Sequence, residues 1–189
     1  MHETEELRNE ISIEAAGSSA FEVEAFARVF ARRFEDAEHV FDLNVEALRC
    51  RGPRNRRLEL LGYAEDPMEQ SLTLLAGHYF GADETLTLTD AKEAIRRATN
   101  FIESAADGWL SEHLEASSRE AEYADYFAQR LNRGFISRIR VLLITDGLMS
   151  DRIRTIDSDH VAGIRTSYKV WDQKRILDAA QPELNSEDI

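Results

Sequence analysis

The chain has 189 residues, a formal net charge of −13 and a pI near 4.8. That length buries one substantial core and is too short to make two domains the expectation, while 43% hydrophobic and 31% charged residues exclude a disordered chain. No apolar run approaches the roughly 20 residues of a membrane span, and the acidic balance argues against a constitutive nucleic-acid binder, whose backbone contacts need a positive face.

The opening residues, "MHETEELRNEIS", are polar and acidic, unlike a secretory signal, which needs a basic start and an apolar run. A single cysteine, Cys50, excludes an internal disulfide and cannot build a zinc site alone. It sits in the strand-like "VEALRC", where a buried, inert thiol is expected. Together these features lead to the expectation of a cytoplasmic protein. Residues 1–18 are expected to form an N-terminal extension, 19–180 a single α/β domain, and 181–189 a flexible tail.

From Ala20 the run "AFEVEAFARVFARRFED" places Phe26, Phe30 and Phe34 at i, i+4 and i+8. This spacing predicts a helix with one apolar stripe, capped by Ser18 or Ser19, and the aromatics read as core. Three β-like runs follow: "NVEALRCRG", "RRLELLGYAED" and "SLTLLAGHYFG". Turn-forming "GPRN" and "EDPMEQ" separate them. Simple alternation along the second run would put Glu59, Leu61 and Tyr63 on one face and Leu60 and Gly62 on the other. The first turn gathers Arg49, Arg51, Arg54, Arg56 and Arg57. Such a tip suits phosphates, so nucleic acid is a candidate partner; the plainer alternative is a solvated turn offsetting nearby carboxylates.

"TLTDAKEAIRRATNFIESAADGWL" predicts a long helix, capped by Thr87 or Thr89 and ended by Asp107-Gly108. "SSREAEYADYFAQRLNRG" predicts another, from a serine cap to Gly134. "FISRIRVLLITDG" and "GIRTSYKVWD" read as strands, and "QKRILDAA" as a closing helix. The order α, β, β, β, α, α, β, β, α gives an α/β fold with a mixed β-sheet flanked by helices.

Helix, three-strand meander, helix, strand is also the chain order of the restriction-endonuclease-like core. An active enzyme of that kind needs carboxylates on adjoining strands to hold Mg²⁺, and a lysine or substitute to orient water. "LLGYAEDPMEQSLTLLAGHYFG", "RIRVLLITDGLMSDRI" and "YKVWDQKRIL" resemble the N-terminal region of the abortive-infection phage-resistance (AIPR) family. In that family the hairpin runs Asp-Gly-Tyr, an acidic turn, Ser-Leu-x-Leu and a strand ending in Phe; Thr-Asp-Gly and Trp-Asp follow downstream. Gly62-Tyr63, Asp66, Ser71-Leu72, Leu74 and Phe80 match the first group, and Thr145-Asp146-Gly147 and Trp171-Asp172 the second. The resemblance covers about residues 21–177. It implies a bacterial antiviral-defence protein with a restriction-endonuclease-like module. Family members are generally longer, so a C-terminal effector region or a protein partner is implied as well.

Two positions depart from that pattern. Leu61 stands where the aspartate of Asp-Gly-Tyr is expected. On the third strand the acid-x-lysine would fall at Ala76-Gly77-His78, where the acid is absent and His78 takes the lysine's place. The nuclease reading therefore needs a surrogate site: Glu59, Asp66 and Glu22 (or Glu24) as metal ligands, with Glu59 and His78 as catalytic groups and Mg²⁺ the cofactor. The competing expectations are a degenerate nuclease core without an intact metal site, touching nucleic acid through the arginine turn, and a non-enzymatic protein-interaction or regulatory α/β module. A third class, a small-molecule or nucleotide enzyme, has little support, because no glycine-rich phosphate loop follows any strand and no Ser-His-Asp set or paired-histidine metal spacing is evident.

Overall fold

The computed structural model describes residues 2–18, 21–36, 42–153 and 156–179. The expected extension forms helix α1 (His2–Ser18), which leads into α2 (Glu22–Asp36). Leu7 and Ile11, one turn apart on α1, are fully buried in the same apolar cluster as Phe26, Phe30 and Phe34. Ion pairs from Arg33 to Glu10 (2.8 Å) and Arg32 to Glu14 (2.9 Å) tie the outer edges of the two helices. The phenylalanine stripe is core, as its spacing predicts: Phe30 stacks on Phe34 at 4.9 Å, and Phe34 meets Trp171 edge-on at 4.6 Å.

The meander is β1 (Asn44–Arg51), β2 (Arg57–Asp66) and β3 (Ser71–His78). A short pair, β4 (Thr85–Leu86) and β6 (Leu148–Met149), forms a parallel ribbon of its own. Between them lie α3 (Leu88–Ala106), α4 (Trp109–His113), α5 (Arg119–Asn132) and β5 (Arg138–Thr145); β7 (Asp159–Val161), β8 (Ile164–Trp171) and α6 (Gln173–Ala179) complete the described chain. Strand order is β1-β2-β3-β5-β8-β7, with β3, β5 and β8 parallel and the other neighbours antiparallel. Thr87 caps α3 in a reciprocal capping box with Asp90, and Ser118 caps α5 through Ala121 N–H. Gly108 and Gly134 take left-handed conformations just past the ends of α3 and α5.

Both faces of the sheet are covered, which is why alternation in the strands is only partial. Val141 and Leu143 of β5 pack toward α3 and α5; Leu142 and Ile144 pack toward α1, α2 and α6. In β2 the alternation breaks. Leu58 and Leu60 face α3, Leu61 faces α2, and Tyr63 returns to the α3 side against Tyr123 and Phe127 of α5. The expected grouping of Leu61 with Tyr63 is thus corrected. The β1–β2 register shifts between Val45 and Leu48, and β2 passes so close there that a Cβ on Gly62 would lie 2.6 Å from the Asn44 carbonyl oxygen. Only glycine fits that approach.

Candidate functional site

Leu61, at the position of the expected β2 aspartate, faces α2, whereas Ala76, at the position of the expected β3 acid, packs toward α3. The two positions lie on opposite sides of the sheet, and the α2-facing one is filled by hydrocarbon. Leu61, Leu75 and Ile144 are fully buried in the cluster covered by α2. Gly77 has Leu61 directly over it, and a Cβ at this glycine would overlap the leucine Cδ1 atom. A divalent cation needs several oxygen ligands, and the residues at this position supply none. Mg²⁺ does not fit here. Among the described residues, no group of three or more His, Cys, Asp or Glu side chains is placed to hold a metal.

The surrogate residues are dispersed. Glu59 is 5% exposed, and one of its oxygens accepts from Arg49 Nε at 2.7 Å and an Arg57 terminal nitrogen at 2.8 Å. Burial pushes its pKa up, but the two arginines outweigh that and hold it below the ordinary glutamate value. It is a charge locked in a cross-strand cluster. His78 ends β3 with its ring 4.5 Å from Phe80. Its alternation partner Ala76 packs toward α3, so His78 lies on the opposite side of the sheet from Leu61 and Glu59. Asp66 closes the β2–β3 turn by accepting from Met68 and Glu69 N–H at 2.9 and 3.1 Å. Glu22 is exposed at the start of α2. Glu65, expected in the turn, lies within β2 and accepts from Tyr126 Oη at 2.6 Å and from Arg130.

The downstream motif residues hold the carboxyl ends of the parallel strands together. Asp146, 1% exposed, accepts from Phe80 and Gly81 N–H at 2.7 and 2.8 Å, fixing the chain as it leaves β3. Burial raises its pKa above the usual aspartate value, against those two donors. Gly147 passes the Glu84 carbonyl and the Phe80 ring where any Cβ would collide. Asp172 accepts from Met149 N–H at 3.0 Å and, through its other oxygen, caps α6 at Arg175 N–H. These motif acids are structural fasteners.

Beside this scaffold lies a polar cleft that the arginine turn only half describes. Arg54 and Asn55 take left-handed conformations at the tip. Of the five arginines, Arg49 and Arg57 are taken by Glu59, and Arg51 donates to the Asn55 carbonyl at 3.3 Å. Arg56 instead faces α3 across a cleft of about 600 Å³ lined by Arg57, Lys92, Glu93, Arg96, Arg97 and Asn100. An adjoining cleft of about 640 Å³ shares Arg56, Lys92, Arg96 and Asn100 and adds Ile95, Tyr168, Glu103, Asp157 and Asp159. The arginine-turn reading missed the cations of α3. Their signal is the i, i+4, i+8 row Lys92, Arg96, Asn100, opposite the apolar row that buries Ala91, Ile95 and Ala98.

The sequence model of the abortive infection phage resistance protein N-terminal domain matches residues 26–178. The chain belongs to that family. Searches of curated proteins and of solved structures each returned no match. Among the described residues, no helix is long and apolar enough to cross a membrane.

Proposed function

We propose that this chain is a non-catalytic nucleic-acid-recognition module of a cytoplasmic phage-defence protein, built on a restriction-endonuclease-like scaffold. The observation that carries this reading is that Leu61, at the expected aspartate position, packs over Gly77 on the opposite side of the sheet from Ala76, with the one buried glutamate of β2 already held by two arginines. The scaffold assignment is supported by the element order, a helix, an antiparallel meander, a helical crossover and a parallel fourth strand. Nucleic acid is the favoured ligand because cations gather around the β1–β2 turn of a chain that is otherwise strongly acidic. In this reading, effector chemistry comes from another region of the protein or from a partner.

Calorimetric titration with Mg²⁺ and with Mn²⁺, alongside a nuclease assay, tests the loss of catalysis. No saturable binding and no cleavage are expected from the wild type or from Glu59→Gln. Saturable binding that Glu59→Gln abolishes would overturn the proposal and restore a carboxylate site.

A further inference from the structure

We infer that the phosphate contacts of this chain are Arg56, Lys92 and Arg96, in the cleft between the β1–β2 turn and the outer row of α3, and that the ligand is single-stranded nucleic acid. The inference rests on the nucleic-acid reading above and moves its contacts away from most of the arginine turn. Charge availability decides the place. Arg49 and Arg57 are neutralised by Glu59 at 2.7 and 2.8 Å, and Arg97 pairs with Glu93. Arg56, Lys92 and Arg96 have no ion-pair partner among the described residues, and all three are exposed. An unpaired cation can exchange condensed counterions for phosphate without first breaking a protein bond.

Geometry decides the form of the ligand. Lys92, Arg96 and Asn100 form one row that spans about 12 Å along the helix, long enough to meet successive phosphates of one strand. The row is the shared rim of the two clefts. A backbone lying on it leaves the second cleft for its bases. That cleft has apolar and aromatic lining, Ile95, Ile156, Val161 and Tyr168; Asp157 and Asp159 line it from the segment that leads into β7, and Glu103 follows Asn100 one turn further along α3. Asp157 and Asp159 repel phosphate and accept hydrogen bonds from base amines and sugar hydroxyls, so they orient the strand with its backbone toward Lys92 and Arg96, while Glu103 ends the cation row. Paired bases are turned inward and cannot enter such a cleft, whereas unpaired bases stack on aromatic floors.

The test is fluorescence anisotropy of the full chain at low salt. Probes are a fluorescein-labelled oligothymidylate of about 12 nucleotides, a duplex of equal length and a polyglutamate peptide. The single strand is expected to bind at least about tenfold tighter than the duplex. Lys92→Gln with Arg96→Gln should weaken strand binding by about tenfold or more and reduce the log–log salt slope by about 1–2. Arg51→Gln with Arg54→Gln should change affinity by less than about twofold. All four positions are solvent-facing, and circular dichroism confirms that each variant is folded. Wild-type binding lost in the turn variant but kept in the α3 variant would overturn this location and leave nucleic-acid recognition standing. Tighter duplex binding would overturn the single-strand assignment, and polyglutamate binding as tight as the oligonucleotide would overturn the ligand class. No binding of any probe by the wild type would overturn both readings.

Discussion

Leu61 sits over the bare Cα of Gly77, and the absence of a side chain at residue 77 gives the leucine its place in the core. The two positions are coupled by volume. Gly77→Ala is expected to displace Leu61 and destabilise the fold by about 1–3 kcal/mol through overpacking, measured as a lower urea midpoint. Leu61→Ala leaves a cavity and should cost about 2–4 kcal/mol. Combining them places the alanine methyl in the space that the leucine vacates. The double variant should therefore lose less than the sum of the singles by about 1 kcal/mol or more, whereas additive losses would show that the residues do not share this space.

Glu59 predicts a pH dependence. Its folded pKa lies below the ordinary glutamate value, so its cluster contributes stability at neutral pH and loses it as pH falls through the folded pKa. Glu65, held low by Tyr126 and Arg130 against its own burial, acts in the same direction. Glu59→Gln cannot ionise and leaves Arg49 and Arg57 without their counter-charge. At pH 7 it should cost about 1–3 kcal/mol, discounted because Arg57 is half exposed and screened. Between about pH 5 and pH 3 the gap between wild type and variant should narrow, because acid removes in the wild type what the substitution has already removed. A constant gap in urea midpoints across that range would contradict the assignment.

The parts of the fold that local rules govern were legible in the sequence. Phe26, Phe30 and Phe34 declared a buried helix face, Thr87 or Thr89 the cap of α3, and three apolar runs with polar turns a meander. Distance hid the rest. Helix α1 reads as a charged extension because, among its described side chains, only Leu7 and Ile11 are fully buried, and their burial depends on α2. Simple alternation failed in β2 because the backbone of β1 at Asn44 forces the strand to shift at Gly62. The partners of Asp146 lie 66 and 65 residues away, so no spacing rule reaches them. Lys92 and Arg96 resemble any solvated helix face until the β1–β2 turn is folded against them.

Asp146 should control the segment that leaves β3. Replacing it with alanine abandons the Phe80 and Gly81 N–H groups in a partly buried loop, at about 1–3 kcal/mol. Hydrogen exchange by NMR should then show faster exchange at these two amides, with smaller changes in the centre of β5. Because burial raises the Asp146 pKa, its ionisation opposes folding, and its contribution to stability falls as pH rises through the unfolded and then the folded value. Asp146→Asn removes that titration while retaining one acceptor oxygen, so it should be less harmful than alanine. Equal damage from the two variants would mean that the carboxylate's hydrogen bonds are not what holds the loop.

Cys50 gives a final test, of the β1 edge. It lies half-buried on β1, packed against the core cluster that includes α5, and burial first, then the Glu120 charge, raises its pKa to about 11. Since the thiolate is the reacting species, disulfide-exchange labelling at pH 7 should be slower than for an unfolded cysteine of pKa about 8.5 by roughly two orders of magnitude. Glu120 also accepts from Arg49 N–H at 3.4 Å, so it is tied to the strand that carries Cys50. Glu120→Gln removes the nearby negative charge and leaves the burial in place. Labelling should therefore rise only a few-fold in that variant and reach the unfolded rate in denaturant. Full reactivity in the native wild type would mean that the edge of β1 opens away from α5 far more readily than its packing implies.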